Sequence, residues 1–473
     1  MLNRNFGIVD GDYYERGRYR ETFREVFEEL RAEGLFSRPI HQIENSDLFK
    51  LSPFKALNAD QAVAVEDILE GLFDDLQHGR SSTIVVQGDP GTGKTVVGIC
   101  LMKLLRDIET ADVTEAINAE TMFSEFFTEG YPELLQRFKI GLVIPQQSLR
   151  TSIGDVFRRT PGLSKSMVLT PFQVGESEED FDLLIVDETH RLNQRASLAS
   201  GVLNAMFSAI NERLFGMDDV DVTQLDWIRA KSRHQIYLLD SGQRVRPADL
   251  PISVLTGLME KARHSRRLYP LSSQMRVLGG RDYIEYVRAL LASEAPASRI
   301  FGGYEFKMFD NLREMRSVIR ERESAFGLSR LVAGYSFPWR SKKDPTDFDI
   351  DLDGVQMAWN RTATDWINSP TSVDEVGSIH TVQGYDLNYA GVIIGADLRY
   401  DVDSGRIVFD RQSYFDAKGM QNNPQLGITY RDADLLEFVT NIYSVLLTRG
   451  MRGTFVYVVD EALRDHLRRF IVG

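Results

Sequence analysis

The chain has 473 residues, of which 43% are hydrophobic and 26% charged, with a formal net charge of −14 and a single cysteine. That length can bury two or three separate cores. No apolar run reaches the ~18 residues of a membrane span, the opening residues lack the apolar stretch of a secretion signal, and Cys100 has no internal disulfide partner. Together these exclude a membrane or disulfide-stapled protein and lead to the expectation of a cytoplasmic one.

In chain order, residues 21–33 carry the spacing of an amphipathic helix, with Phe23, Val26, Phe27 and Leu30 on one face and Gly34 as its stop. The expected organisation is a short helical N-terminal segment over 1–50, a first lobe over 51–300 and a second over 301–473. Residues 83–87 then form a buried-strand run that leads directly into Gly88-Asp89-Pro90-Gly91-Thr92-Gly93-Lys94-Thr95. This octet fits G-x-x-x-x-G-K-[ST] at every required position. Its glycines let backbone N–H groups converge on anionic oxygens, and the apolar helix that follows adds its positive end. A nucleoside triphosphate site is expected, with Lys94 at the β- and γ-phosphates and the Thr95 hydroxyl on Mg²⁺.

Short apolar runs at 140–144, 167–169, 183–186 and 235–239 alternate with helical stretches, the pattern of an α/β fold with a parallel sheet covered on both faces. The third of them ends in Asp187-Glu188. A carboxylate there can join the metal shell, and the next can polarise an attacking water, so Asp187 and Glu188 point to hydrolysis. Charge is segregated along this half. Residues 107–137 hold eight acids against one base, and 231–281 hold ten Lys or Arg against three acids, which leaves room for a basic groove in an acidic particle.

A second series of apolar runs begins near Phe306 and continues through 331–333, 391–394 and 454–459, without a phosphate loop of its own. Two sheets, one bearing the cradle, suggest paired lobes with nucleotide between them. Asp349, Asp351, Asp353 and Gly354 imitate the start of a calcium loop, but the twelfth position is Asn360 and the interleaved apolar residues have the period of a strand. Trp339, Trp359 and Trp366 are read as core in preference to a base-stacking surface.

The ordered set of motifs resembles superfamily 1 helicases, and most of all the bacterial relatives of the Schlafen-type DNA/RNA helicase domain, over roughly residues 57–459. The resemblance implies two RecA-like P-loop NTPase lobes with parallel sheets. It implies that Gln61 recognises adenine, making ATP the nucleotide, that Gln243 senses the γ-phosphate, and that Arg276 touches that phosphate across the cleft. In the segment 379–385 it sets Gln383 and Gly384 toward ATP, with His380 and Thr381 toward the strand. Arg449 first, and Arg452 second, would bring positive charge to the transferring phosphoryl group. Gln146, Arg150 and Thr170 fall where the family touches the strand backbone, a contact that reads no sequence.

The implied activity is Mg²⁺-dependent ATP hydrolysis coupled to binding and translocation on single-stranded DNA or RNA, or to unwinding of a duplex. Two departures set unwinding behind hydrolysis: Thr-Arg-Gly at 448–450 where the family has Thr-Arg-Ala, and no room for large inserted domains. The alternative is a regulatory or scaffold ATPase subunit of a defence or nuclease complex.

Overall fold

The computed structural model describes residues 16–37, 39–111, 123–196, 201–240, 244–294, 296–361, 366–382 and 385–472. The first series of apolar runs becomes β1 (Thr83–Gly88), β2 (Ile140–Val143), β3 (Val168–Leu169), β4 (Phe181–Val186), β5 (Ser232–Leu239) and β6 (Leu268–Leu271). They form one sheet in the order β3-β2-β4-β5-β1-β6, with every pairing parallel. Alternation of side chains along each strand builds two cores, one on each face. Ile84, Val86, Leu183, Ile185 and Leu238 pack with Val97 and Leu101 of the helix Lys94–Glu109 on one side. Val85, Leu184, Val186, Tyr237 and Leu239 pack with Leu255 and Leu258 of the helix Ile252–His264 on the other. Strands buried on both faces are why these runs read as continuously apolar.

The second series supplies β7 (Glu305–Met308), β8 (Ser329–Ala333), β9 (Ile350–Leu352), β10 (Val355–Met357), β11 (Val376–Gly377), β12 (Leu387–Ile394), β13 (Leu398–Asp401), β14 (Arg406–Phe409) and β15 (Gly450–Val458). Five of them form a second parallel sheet in the order β11-β8-β12-β15-β7. The other four make two antiparallel hairpins. In the first hairpin Asp353 and Gly354 have φ of 51° and 70°, the left-handed pair that a tight two-residue turn requires. The calcium look-alike is this hairpin, and Asp349 is committed elsewhere, accepting from the Ser341 N–H at 2.8 Å and the Trp359 N–H at 2.6 Å. Trp359 and Trp366 are buried core residues, and Trp339 meets Trp359 edge-on at 5.6 Å.

The core of the second sheet takes in Val277 and, from the helix Gly280–Leu291, Tyr283, Tyr286, Val287, Leu290 and Leu291. Tyr283 crosses Phe306 of β7 edge-on at 5.1 Å and donates to the Leu447 carbonyl at 2.8 Å. The core of the second sheet therefore draws on residues ahead of 301, the division expected from the strand series, with Val245 also among them. At the other end, the helix Arg16–Ala32 stops before Gly34, whose φ is +87°. Only part of its apolar stripe is covered: Phe27 is buried and stacks on Phe36 at 4.6 Å, while Phe23 and Val26 are exposed. Among the described residues no helix is long and apolar enough to cross a membrane.

One buried acid makes stability depend on pH. Asp397, between β12 and β13, is fully enclosed and accepts from the Tyr443 hydroxyl at 2.7 Å. Burial pushes its carboxyl from 3.8 up to about 7, more than the Tyr443 hydrogen bond holds it down. The folded chain keeps a proton that the unfolded chain releases near pH 4, so stability declines as pH rises from about 4 to 7 and stays reduced above. Asp397→Asn, a mimic of the protonated acid, should stabilise the protein more at pH 8 than at pH 5, by on the order of 2 kcal/mol. Melting temperatures of both proteins across that range test this, and parallel pH profiles would refute it.

Candidate active site

β1 runs into a loop that turns back over its own end. Gly91 and Gly93 have φ of +85° and +83°, and a Cβ on Gly91 would lie 2.3 Å from the Gln274 side chain, one on Gly93 2.1 Å from that of Gln61. Glycine is needed twice over, for the backbone sign and for the closeness of the covering residues. Lys94, buried, donates to the carbonyls of Gly88 at 2.7 Å and Asp89 at 3.0 Å, and lies 3.7 Å from the Asp240 carboxylate at the end of β5. Asp89 itself pairs with Arg288 at 2.9 Å, and Thr92 hydrogen-bonds back to the Asp89 carbonyl at 2.9 Å.

β4 delivers the acids. The Thr95 hydroxyl donates to Asp187 Oδ2 at 2.8 Å, joining the first turn of the loop's helix to the end of β4, two strands away from β1 in the sheet. Burial, and then the charge of Glu188, raise the Asp187 carboxyl above the usual range. Glu188 stands at φ 48°, a left-handed position that costs a non-glycine residue and turns its side chain out of the strand direction. Its Oε2 is 3.1 Å from Nε2 of the fully buried His190. Burial pushes that imidazole down to about 3, so the ring is neutral and the contact is not an ion pair.

The covering wall comes from residues 272–276. Gln274 donates to the Pro90 carbonyl at 2.6 Å, the Met275 N–H to the Gly91 carbonyl at 3.0 Å, and Gln61 to the Thr92 carbonyl at 2.9 Å. Asn58 and Gln61 cap the helix Ala59–Gln77 reciprocally, which fixes the Gln61 side chain over the loop. The opposite wall belongs to the second sheet. Asp386, just before β12, forms an ion pair with Arg276. Burial works to raise its carboxyl, but the charges of Arg276, Lys50 and Arg449 outweigh that and leave it below the usual range.

Arg449, between the helix Asp432–Leu447 and β15, is buried, reaches the Tyr385 carbonyl at 3.4 Å and leaves its Nε without a hydrogen-bond partner among the described residues. Burial, followed by repulsion from Arg276, lowers its guanidinium to about 9.

One cavity gathers these groups: Gln61, Gly91, Gly93, Lys94, Thr95, Glu188, Arg276 and Arg449 all line it. Its free volume is ≈ 130 Å³, below the ~300–1,000 Å³ of small-molecule sites, so admitting a ligand of that size requires its walls to part. Arg452 does not line it: it lies over the Phe326 ring at 4.8 Å and lines an adjoining cavity that shares Lys50, Lys55, Met275 and Asp386 with the first. Gln243, Gln383 and Gly384 fall outside the described residues.

Of the residues expected to face a strand, Gln146 and His380 meet across the seam between the halves, while the others bond within their own half. Gln146 donates to the His380 carbonyl at 3.4 Å, Arg150 to the Ile144 carbonyl at 3.0 Å, and Thr170 caps the helix Pro171–Glu176. His380 is half-buried, and its ring is held well below its ordinary titration range, by burial and then by Arg246 and Arg191. Thr381 is buried and donates to the Ser378 carbonyl at 2.9 Å. Of the basic run, Arg267 serves the fold, pairing with Asp75 at 3.0 Å.

Sequence reasoning missed Lys50, Lys55, Met275, Tyr385 and Asp386, all of which line the cavity. Asp386 had a signal, being the acid next to the 379–385 motif; the two lysines belong to no motif.

A yeast protein, uncharacterized protein YPL245W of Saccharomyces cerevisiae, is 26% identical over 451 residues, covering 87% of this chain and 90% of its own length. The family model described as Schlafen group 3, DNA/RNA helicase domain, matches residues 81–460. That span runs from just before β1 to just past β15 and takes in both parallel sheets, and on it the chain belongs to the Schlafen group 3 DNA/RNA helicase domain family.

Proposed function

We propose that the protein is a Mg²⁺-dependent ATPase of two RecA-like lobes, one on each parallel sheet, that binds single-stranded nucleic acid and couples hydrolysis to movement along it. The observation carrying this reading is the single cleft to which one half contributes the phosphate loop, Glu188 and Arg276, and the other Arg449. Two groups support a fit to an anionic ligand: an enclosed guanidinium nitrogen with an open donor, and a lysine satisfied only by loop carbonyls and an acid.

Thr95 and Asp187, already in contact, are the residues that would hold Mg²⁺, with nucleotide oxygens completing the shell. The cation, when bound, neutralises charge on the β- and γ-oxygens. In this reading Glu188 takes the proton of the attacking water, Lys94 and the loop N–H groups hold phosphate, and Arg276 and Arg449 face the charge that develops. Gln61 favours adenine.

ATP turnover by the purified chain, alone and with single-stranded DNA or RNA at low salt, tests both parts. At least one strand should stimulate turnover several-fold, and the stimulation should fall steeply as salt rises. Turnover that neither strand changes would leave a regulatory ATPase. No turnover at all would end the enzymatic reading.

A further inference from the structure

The nucleotide cleft has a third wall, and it lies ahead of the residues that the family model matches. The short helix Asp47–Lys50 and the turn that follows place Asp47, Lys50, Leu51, Lys55 and Ala56 along the same cavity as Lys94, Glu188, Arg276 and Arg449. The segment is anchored to the second half: the Asn45 side chain donates to the Phe326 carbonyl at 3.4 Å, and Lys50 Nζ donates to the Asp386 carbonyl at 3.1 Å. Lys50 therefore stands beside the carboxylate that already holds Arg276, with Arg449 close enough to lower its proton affinity further.

Three cations from three parts of the chain converge on one acid at the mouth of the phosphate loop. A polyphosphate entering this cleft offers the same cations more negative charge than Asp386 does. Burial lowers the Lys50 ammonium below its ordinary range, against the pull of Asp386 and Asp47, so this charge is poorly solvated and favours an anionic neighbour.

We propose that Lys50 is a direct ligand of the bound triphosphate, a cation that the N-terminal segment adds to the site and that distinguishes ATP from ADP. The assignment rests on the ATPase reading above and extends it to residues 40–56, where nothing in the helicase motifs points.

The test uses the full chain and two variants. Lys50→Gln keeps a donor for the Asp386 carbonyl and removes the charge; Lys50→Arg keeps the charge. Affinities for a non-hydrolysable ATP analogue with Mg²⁺ and for ADP are measured by calorimetry, with melting temperatures alongside. Lys50→Gln should weaken analogue binding roughly tenfold, the loss of one charge-assisted contact, and leave ADP within about twofold, while Lys50→Arg stays near wild type for both. Equal loss for analogue and ADP would mean that the segment only supports the fold of the cleft, and unchanged analogue binding would mean that Lys50 does not touch the nucleotide; either result overturns the proposal. Should wild type bind neither nucleotide, the ATPase reading itself fails, which is a separable outcome.

Discussion

Replacing Glu188 by glutamine is expected to lower ATP turnover by ~10²–10⁴-fold, the range for a lost general base, while nucleotide binding is retained or tightened. The substitution changes almost no shape. It removes a carboxylate that lines the cleft and whose close neighbour is the neutral His190 ring. Binding should hold because Glu188 is one of the causes that raise the Asp187 carboxyl. With that charge gone, Asp187 ionises more readily and makes a better partner for a dication. Steady-state hydrolysis and equilibrium binding of an ATP analogue check the two halves of this expectation. Turnover within about tenfold of wild type would remove Glu188 from the base role.

Arg449→Ala should cost turnover ~10³–10⁵-fold, on the scale of other arginines that face a transferring phosphoryl group. Arg452→Ala should cost little. The structure separates these two neighbours: Arg449 lines the cleft with an open donor, whereas Arg452 rests on Phe326 and lines the adjoining cavity. The loss should come without unfolding. An enclosed guanidinium whose proton affinity is lowered to about 9 is a burden on the apo fold, so removing it should leave the melting temperature unchanged or raise it. The same value sets a pH limit. With its proton affinity lowered to about 9, Arg449 loses charge as pH climbs past that point, so wild-type turnover should decline there. Equal losses for Arg449→Ala and Arg452→Ala would dismiss the distinction drawn here.

Much of this was legible in the sequence where one local pattern decides one local structure. The runs at 183–186 and 235–239 had to be strands buried on both faces, and the octet from Gly88 to Thr95 had to be a strand-to-helix turn. The Asp349-to-Gly354 stretch could be told from a calcium loop by Asn360 at the twelfth position and by its alternation. What stayed hidden was long-range. The membership of the helix Gly280–Leu291 depends on which sheet covers Tyr283 and Val287, and no periodicity within the helix carries that. Lys50 and Asp386 meet across 336 residues of separation. His380 looked like a group for the strand because of its neighbours, while its ring meets Tyr335 and its carbonyl accepts from Gln146 of the other half.

The chain leaves β6 at Leu271, lays Gln274 and Met275 on the phosphate loop, and by Val277 is already inside the other core. So short a splice has no slack to absorb a rotation. In the proposed reading, a tilt of one sheet against the other would pull on Pro90 and Gly91 through this strap, and a change in the loop's occupancy would push back along it. Lengthening the strap by a few glycines would leave every cleft side chain present and yet disconnect the gear from the shaft.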